Sequence, residues 1–242
     1  MSRLNAGLYS SDDQTWWSPP DFVAAVLGFE ERERFDLDAA TTAFNIPARF
    51  HYTKGGLYKM GRAGARRVKT ICGYKGDWQV PSADLMQAGP LVWVNPEYGE
   101  DEHPCKAKCK KKICVKRGHH LSEFRPGLPG WTRKIYAEAQ KGARIWALLP
   151  CRTETSYQHQ FGLSQADFVV VIKSRLHFLR DGKPHIIVNS KTGKESKGSA
   201  PMPTMLLYYG ADWEGKMRRW MANPPIPGTL LVRPEKLMEK RS

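Results

Sequence analysis

No stretch of this chain is apolar for anything near the ~20 residues that span a bilayer, so no membrane partner is expected. The opening Met-Ser-Arg-Leu-Asn-Ala-Gly has no apolar signal-peptide core, and the expected setting is the reducing cytoplasm. Cysteines are few and odd in number, five in 242 residues, which argues against a disulfide framework. Acids are scarce beside bases: 24 Asp and Glu face 38 Lys and Arg, a formal charge of +14. That surplus disfavours a protein substrate and favours a polyanion, most simply nucleic acid, held in a salt-sensitive way. No internal repeat is visible. The remaining composition, 41% hydrophobic and 26% charged, is that of a globular protein with one large core or two modest ones.

The positive charge is clustered. Seven Lys or Arg and no acid lie between Cys105 and Arg117, including Lys110, Lys111, Lys112 and Lys116. A second run holds Lys59, Arg62, Arg66, Arg67, Lys69 and Lys75, and a third Lys183, Lys191, Lys194 and Lys197. Of these, Lys110, Lys111, Lys112, Lys116, Arg117, Arg66 and Arg67 are the expected phosphate contacts of a nucleic-acid partner. Three cysteines sit inside the first run as Cys105-x3-Cys109-x4-Cys114, with His119 and His120 just beyond. Three thiolates and one imidazole could close a tetrahedral zinc site and brace a loop too polar to make its own core. His103 competes as a ligand, the spacing is not a common finger pattern, and redox-inert surface cysteines are the other reading. Cys72 and Cys151 read as ordinary cysteines.

Along the chain, residues 1–15 read as a polar arm. Ser18 can cap a helix with Pro19 at its first position and Gly28 as its stop, Phe22, Val23, Val26 and Leu27 forming its apolar face. Phe35-Asp36-Leu37-Asp38-Ala39-Ala40 reads as a short strand ending in acids and small residues. Residues 53–90 read as basic loop and short elements, and 99–130 as a charged insertion without a clear period. Trp131, Ile135 and Ala139 repeat at helical spacing up to Gly142. Residues 145–150, 167–172 and 204–209 read as core strands, and Arg175–Leu179 with His185–Val188 as a hairpin around Asp181-Gly182. Trp213, Met217, Trp220 and Met221 mark a late amphipathic helix, which Pro224, Pro225 and Pro227 close ahead of a Pro-rich, basic tail at 223–242. Strands alternating with helices point to a three-layer α/β sheet with an antiparallel end, in one domain over 16–222 with basic insertions at about 53–90 and 99–130.

Residues 91–98, Leu-Val-Trp-Val-Asn-Pro-Glu-Tyr, carry the most chemistry. A buried strand stops at Asn95-Pro96, because proline lacks a ladder donor, and presents an amide, a rigid turn and the Tyr98 ring at a strand end. In open α/β sheets ligands sit at that edge. Asn223-Pro224-Pro225-Ile226 follows a helix and has no aromatic, and Ser18-Pro19-Pro20-Asp21 reads better as a helix start, so Asn95 is the candidate.

The motif resembles the Asn-Pro-Pro-Tyr loop of amino-methyltransferases that use S-adenosylmethionine. The order of further motifs is similar to the small phage-type Dam DNA adenine methyltransferases. Its counterparts here are Trp17-Ser18-Pro19, Phe35–Ala40, Asn95-Pro96-Glu97-Tyr98, Leu148-Leu149-Pro150 and Arg175-Leu176-His177-Phe178, spread over roughly residues 16–210. The resemblance implies a Rossmann-like methyltransferase sheet and transfer of a methyl group to the exocyclic amine of adenine in duplex DNA. It implies Asn95, Pro96, Glu97 and Tyr98 as the catalytic loop. It implies Trp17, Ser18, Pro19, Asp36, Asp38 and Ala39 around S-adenosylmethionine, although Asp36 and Asp38 could equally be strand-end caps. Similar loops serve enzymes that methylate RNA bases or protein amides, and the same fold without turnover would be a DNA-binding protein. Three features depart: the Gly-rich cofactor loop common in methyltransferases is absent, a point on which the resembled family is also relaxed; Ser18 replaces threonine; and Glu97, the most serious, stands where the family has a second proline. A buried carboxylate there needs a compensating partner to persist. His51, His159, His177 and His185 read as structural or surface residues.

Overall fold

The computed structural model describes residues 16–41, 44–62, 64–79, 89–106, 109, 110, 114, 115, 118, 120–180, 182–184, 186–188, 192, 193, 195–198 and 202–232. The expected arm at 1–15, and Lys111, Lys112, Lys116, Arg117, His119, Asp181 and His185, lie outside the described residues. In chain order the elements are β1 (Trp16–Trp17), α1 (Pro20–Phe29), β2 (Phe35–Asp38), β3 (Ala48–Thr53), β4 (Gly56–Gly61), β5 (Gly64–Lys69), β6 (Leu91–Val94), α2 (Leu128–Gln140), β7 (Arg144–Pro150), β8 (Phe168–Ile172), β9 (Leu179–Arg180), β10 (Lys183–Pro184), β11 (Ile186–Val188), β12 (Glu195–Lys197), β13 (Thr204–Tyr209), α3 (Trp213–Ala222) and β14 (Gly228–Val232).

Nine strands form one mixed sheet in the order β14-β8-β13-β7-β6-β2-β3-β4-β5. Its centre, β3-β2-β6-β7, is parallel. Both flanks are antiparallel: β4 and β5 on one side, β13, β8 and β14 on the other. The expectation of one antiparallel end thus becomes two. β6 alternates in the way a sheet covered on both faces requires. Leu91 and Trp93 join a core with Phe22, Val26 and Trp220 of α1 and α3, whereas Val92 and Val94 join one with Leu128, Trp131 and Ile135 of α2. On the first face Trp146 touches the rings of Phe29, Phe168, Tyr208 and Trp220. Its indole N–H donates to Glu30 Oε1 at 2.7 Å, and Lys216 pairs with the other oxygen of that buried carboxylate.

Several expectations are corrected. Residues 53–90 include a regular hairpin, β4–β5, continuing from β3. It alternates only weakly because β5 is exposed along its whole length at the sheet edge. Helix α1 starts at Pro20 with Pro19 as N-cap and no side-chain cap, so Ser18 does not cap it. It runs past Gly28 to Phe29, and Glu31 rather than a glycine takes the left-handed turn, at φ 56°. The hairpin near 181 is tighter than expected: β9 pairs with β10 and also with β1, while β11 pairs with β12. The tail contributes β14, which pairs with β8.

Candidate active site

Strand β2 is the topological switch of the sheet. Its parallel neighbours are β3 on one side and β6 on the other, and the crevice outside such strand ends is where open sheets bind ligands. The connection between β2 and β3, residues 39–47, carries no helix among its described residues.

Asn95 follows β6 at this crevice and is held at both ends of its amide. Its Nδ2 donates to Ser18 Oγ at 3.1 Å and to the Trp16 carbonyl at 3.3 Å. Its Oδ1 accepts from the Tyr98 hydroxyl at 2.7 Å, which leaves one lone pair of the amide oxygen. Ser18 thus spends its hydroxyl on Asn95 rather than on a helix cap. Pro96 is buried. The Tyr98 ring lies edge-on to Phe178 with centroids 6.3 Å apart, and the Leu148 carbonyl is a further acceptor for its hydroxyl at 3.3 Å. Burial pushes that hydroxyl well above its ordinary pKa. Tyr98 is therefore a partner of the Asn95 amide rather than a freely presented stacking face.

Trp16, Trp17, Ser18, Asp38, Trp93 and Asn95 line a slot of about 20 Å³. Asp38 is 2% exposed, and among the described residues its Oδ2 makes no hydrogen bond and stands 3.6 Å from the buried His51 Nδ1, which makes none either; the buried indole N–H of Trp93 is likewise without a partner among them. Asp38 and Trp93 face each other across the β2–β6 register. The Trp93 indole N–H, and an Asp38 oxygen met at 3.6 Å by the His51 ring, leave hydrogen-bonding capacity at a strand end that a polar ligand could complete. Asp38 Oδ1 accepts from the Ala40 N–H at 3.4 Å, and the buried His51 ring stands 3.6 Å from Oδ2. Asp36 falls outside the slot: it accepts the Leu91 N–H at 2.9 Å and meets Arg32 at 3.5 Å, so it ties the start of β2 to that of β6. Pro19 caps α1, and Ala39 bonds the Trp93 carbonyl at 3.0 Å. Trp93 escaped the sequence reading because a tryptophan in an apolar run reads as core, and His51 because its partner Asp38 lies on another strand.

Beyond Ala40 and Thr41, which line both cavities, lies a cleft of about 530 Å³. Ala39, Lys54, Gly73, Glu97, Arg125 and Trp131 are among its walls. At Gly73 a side chain would meet the Ala39 carbonyl at 1.9 Å, so only glycine lets that segment close on the end of β2. The neighbouring Trp78 is anchored by its N–H to the buried Glu138 of α2 at 3.1 Å. Glu97, with its side chain 18% exposed, has the partners its burial demands: Lys54 Nζ at 2.6 Å and Arg125 at 2.9 Å. Burial raises its pKa, but the hydrogen bonds and charges of Lys54 and Arg125 lower it further, and the net position is below the ordinary carboxylate value. Asp101 steadies the same loop by accepting the Gly127 and Gly130 N–H groups at the start of α2, at 2.7 and 2.9 Å.

In the insertion, Cys105, Cys109, Cys114 and His120 each place a ligand atom within 4.8 Å of the others. The thiols are free. The Leu121 N–H and the Cys114 thiol draw the Cys105 pKa down to about 7. His103 is not in this group, as its ring packs on Phe124 at 5.2 Å. Arg66 and Arg67 lie on exposed β5, where Arg66 stands opposite Lys59. No family model matches the chain, and neither a curated protein nor a solved structure matches it.

Proposed function

We propose that the protein is an S-adenosylmethionine-dependent methyltransferase acting on the exocyclic amine of adenine in duplex DNA. The observation that carries the reading is the meeting of Asn95, Ser18, Asp38 and Trp93 at the switch point, where the Trp93 indole N–H has no partner among the described residues and Asp38 Oδ2 has the His51 ring at 3.6 Å. An acceptor and a donor of that kind fit the ammonium, hydroxyl and carboxylate groups of the cofactor. The slot alone is smaller than any nucleoside, so Ala40 and Thr41 at the mouth of the larger cleft belong to the same site. Asp38, Trp93, Trp17 and Ser18 would hold the cofactor, with Ala39 at the strand end. Bound there, S-adenosylmethionine supplies an electrophilic methyl group on a sulfonium.

The amine of adenine is a poor nucleophile because its lone pair is delocalised into the ring. The remaining lone pair of Asn95 Oδ1 and the Pro96 carbonyl accept its two hydrogens and favour a tetrahedral nitrogen. Tyr98 fixes the amide orientation through its hydroxyl, and Ser18 and the Trp16 carbonyl fix the other end. Positioning supplies most of the rate, with no covalent intermediate on the protein. The target base must leave the duplex to reach this site. The DNA partner is supported by the net charge and by the β4–β5 hairpin. Lys59 directly opposite Arg66 is unfavourable for the sheet by itself and suits a polyanion.

The test is transfer of labelled methyl from S-adenosylmethionine to unmethylated duplex DNA, followed by nucleoside analysis, with RNA transcripts and cell protein as parallel acceptors. N6-methyladenine in DNA is the expected product. Label in RNA or protein alone would move the substrate, and DNA binding with no transfer to any acceptor would leave a catalytically impaired binding protein.

A further inference from the structure

The thiol and imidazole cluster does more than sit in a basic loop, because the chain on either side of it forms a wall of the 530 Å³ cleft. Cys105 and Leu121 are clasped through their backbones, Cys105 N–H to the Leu121 carbonyl at 2.9 Å, and the Leu121 N–H donates to Cys105 Sγ at 3.4 Å. Glu102 and Arg125 exchange both backbone hydrogen bonds at 2.9 Å. The chain from His120 to Pro126 then lines the cleft, and Arg125 reaches Glu97 in the Asn95 loop.

At the cleft end, Lys75 pairs with Glu123 at 2.6 Å and the Tyr74 and His103 rings meet Phe124 at 5.6 and 5.2 Å; around the thiols the packing is thinner. Val115 is 73% exposed, and among the described residues from Cys105 to Pro126 Cys114 alone is buried. Apolar packing therefore cannot account for three thiols and an imidazole drawn within 4.8 Å of one another. The sulfur separations fit a metal better than a disulfide. A tetrahedral zinc with bonds of about 2.3 Å sets its sulfur ligands about 3.8 Å apart. Cys105–Cys114 and Cys109–Cys114 stand at 3.4 and 3.9 Å, against about 2.05 Å for an S–S bond. Three thiolates with one imidazole in a closed tetrahedral set are a zinc donor set.

The geometry points to one zinc ion bound by Cys105, Cys109, Cys114 and His120, which fastens residues 120–126 as the cleft wall and holds Arg125 on Glu97. The ligands bracket the longest basic run of the sequence. None of this depends on which reaction the cleft serves.

The test uses full-length protein purified without a His tag. Elemental analysis should find about one zinc per chain. Chelation under reducing conditions should make the backbone amides of 121–125 and of the Glu97 loop exchange about tenfold faster or more. Strands β6 and β7 should keep their protection, and zinc but not magnesium should restore the wall. Cys109→Ser and Cys114→Ser should reproduce the chelated state; if either fails to fold, the chelation and restoration of the natural chain still decide. Metal-free protein with an already protected wall overturns the proposal, as does a Cys105–Cys114 disulfide in freshly isolated protein. Bound zinc whose removal leaves 121–126 unchanged overturns the fastening.

Discussion

Replacing Glu97 by glutamine tests the electrostatic account of the Asn95 loop most directly. The carboxylate holds two cations from distant segments, Lys54 at 2.6 Å and Arg125 at 2.9 Å. A hydrogen bond to a charged group is worth about 1.5–3 kcal/mol. That range needs discounting, because the Lys54 side chain is 74% exposed and that of Arg125 37% exposed, and exposed pairs contribute only about 0.2–1 kcal/mol. A net loss of about 1–2 kcal/mol follows, which for a chain of this size lowers the melting temperature by about 2–8 °C. The sign with pH is fixed by the depressed folded-state pKa. The stabilisation is complete above the ordinary carboxyl value of 4.5 and disappears as pH falls through the lower folded value. Thermal melts of both proteins from neutral to strongly acidic pH should therefore show a gap at pH 7 that closes only below 4.5. Equal stability at pH 7, or a gap that stays constant into acid, would refute the bridge. Glu97→Pro restores the loop of the resembled family but removes the same tie, and is expected to lose methyl transfer while keeping cofactor binding; a fully active proline variant would show that the bridge is dispensable.

Asn95→Ala should abolish methyl transfer while weakening DNA binding only modestly, since affinity comes largely from phosphate contacts; full activity in a folded variant would remove Asn95 from the reaction. Asp38→Asn should lower S-adenosylmethionine affinity about tenfold or more, equivalent to about 1.4 kcal/mol, in a variant that still folds, since the long contact of 3.6 Å with the buried His51 ring is what the carboxylate loses inside the protein; unchanged affinity by calorimetry would place the cofactor elsewhere. Arg66→Ala combined with Arg67→Ala should reduce the salt slope of DNA binding by about 2, at about 0.9 per phosphate contact, and should not destabilise the fold, as it relieves the charge facing Lys59.

What could be read from the sequence was what depends on neighbours in the chain. β6, β7 and β13 were legible because each is one apolar run with a sharp stop, and α2 because Trp131, Ile135 and Ala139 keep a helical period. The hairpin β4–β5 was not, since Gly56, Gly61 and Gly64 and a row of exposed bases hide the alternation that Leu57 begins. β14 was hidden by the prolines before it. Ser18 was misread as a cap because its hydroxyl goes to Asn95, a partner that only the fold brings near. Asp36 and Asp38 look alike in the sequence and differ in height along one strand: Asp36 meets the first amide of β6, whereas Asp38 reaches the open end.

Glu97 shows why a departure from a motif cannot be judged within the motif. Proline at that position would shape the loop through its own ring, without help from the rest of the chain. Glutamate has no such constraint, and here the shape is supplied by Lys54, just after β3, and Arg125, at the end of the Cys/His insertion. The loop that carries Asn95 has thereby become dependent on two other segments, one of them the cleft wall beside the thiol cluster. Glutamate at this position and a separately braced insertion are then two parts of one arrangement. A chain that lost the brace would free Arg125, and would leave a half-buried carboxylate beside the candidate catalytic amide with Lys54 as its remaining cation among the described residues.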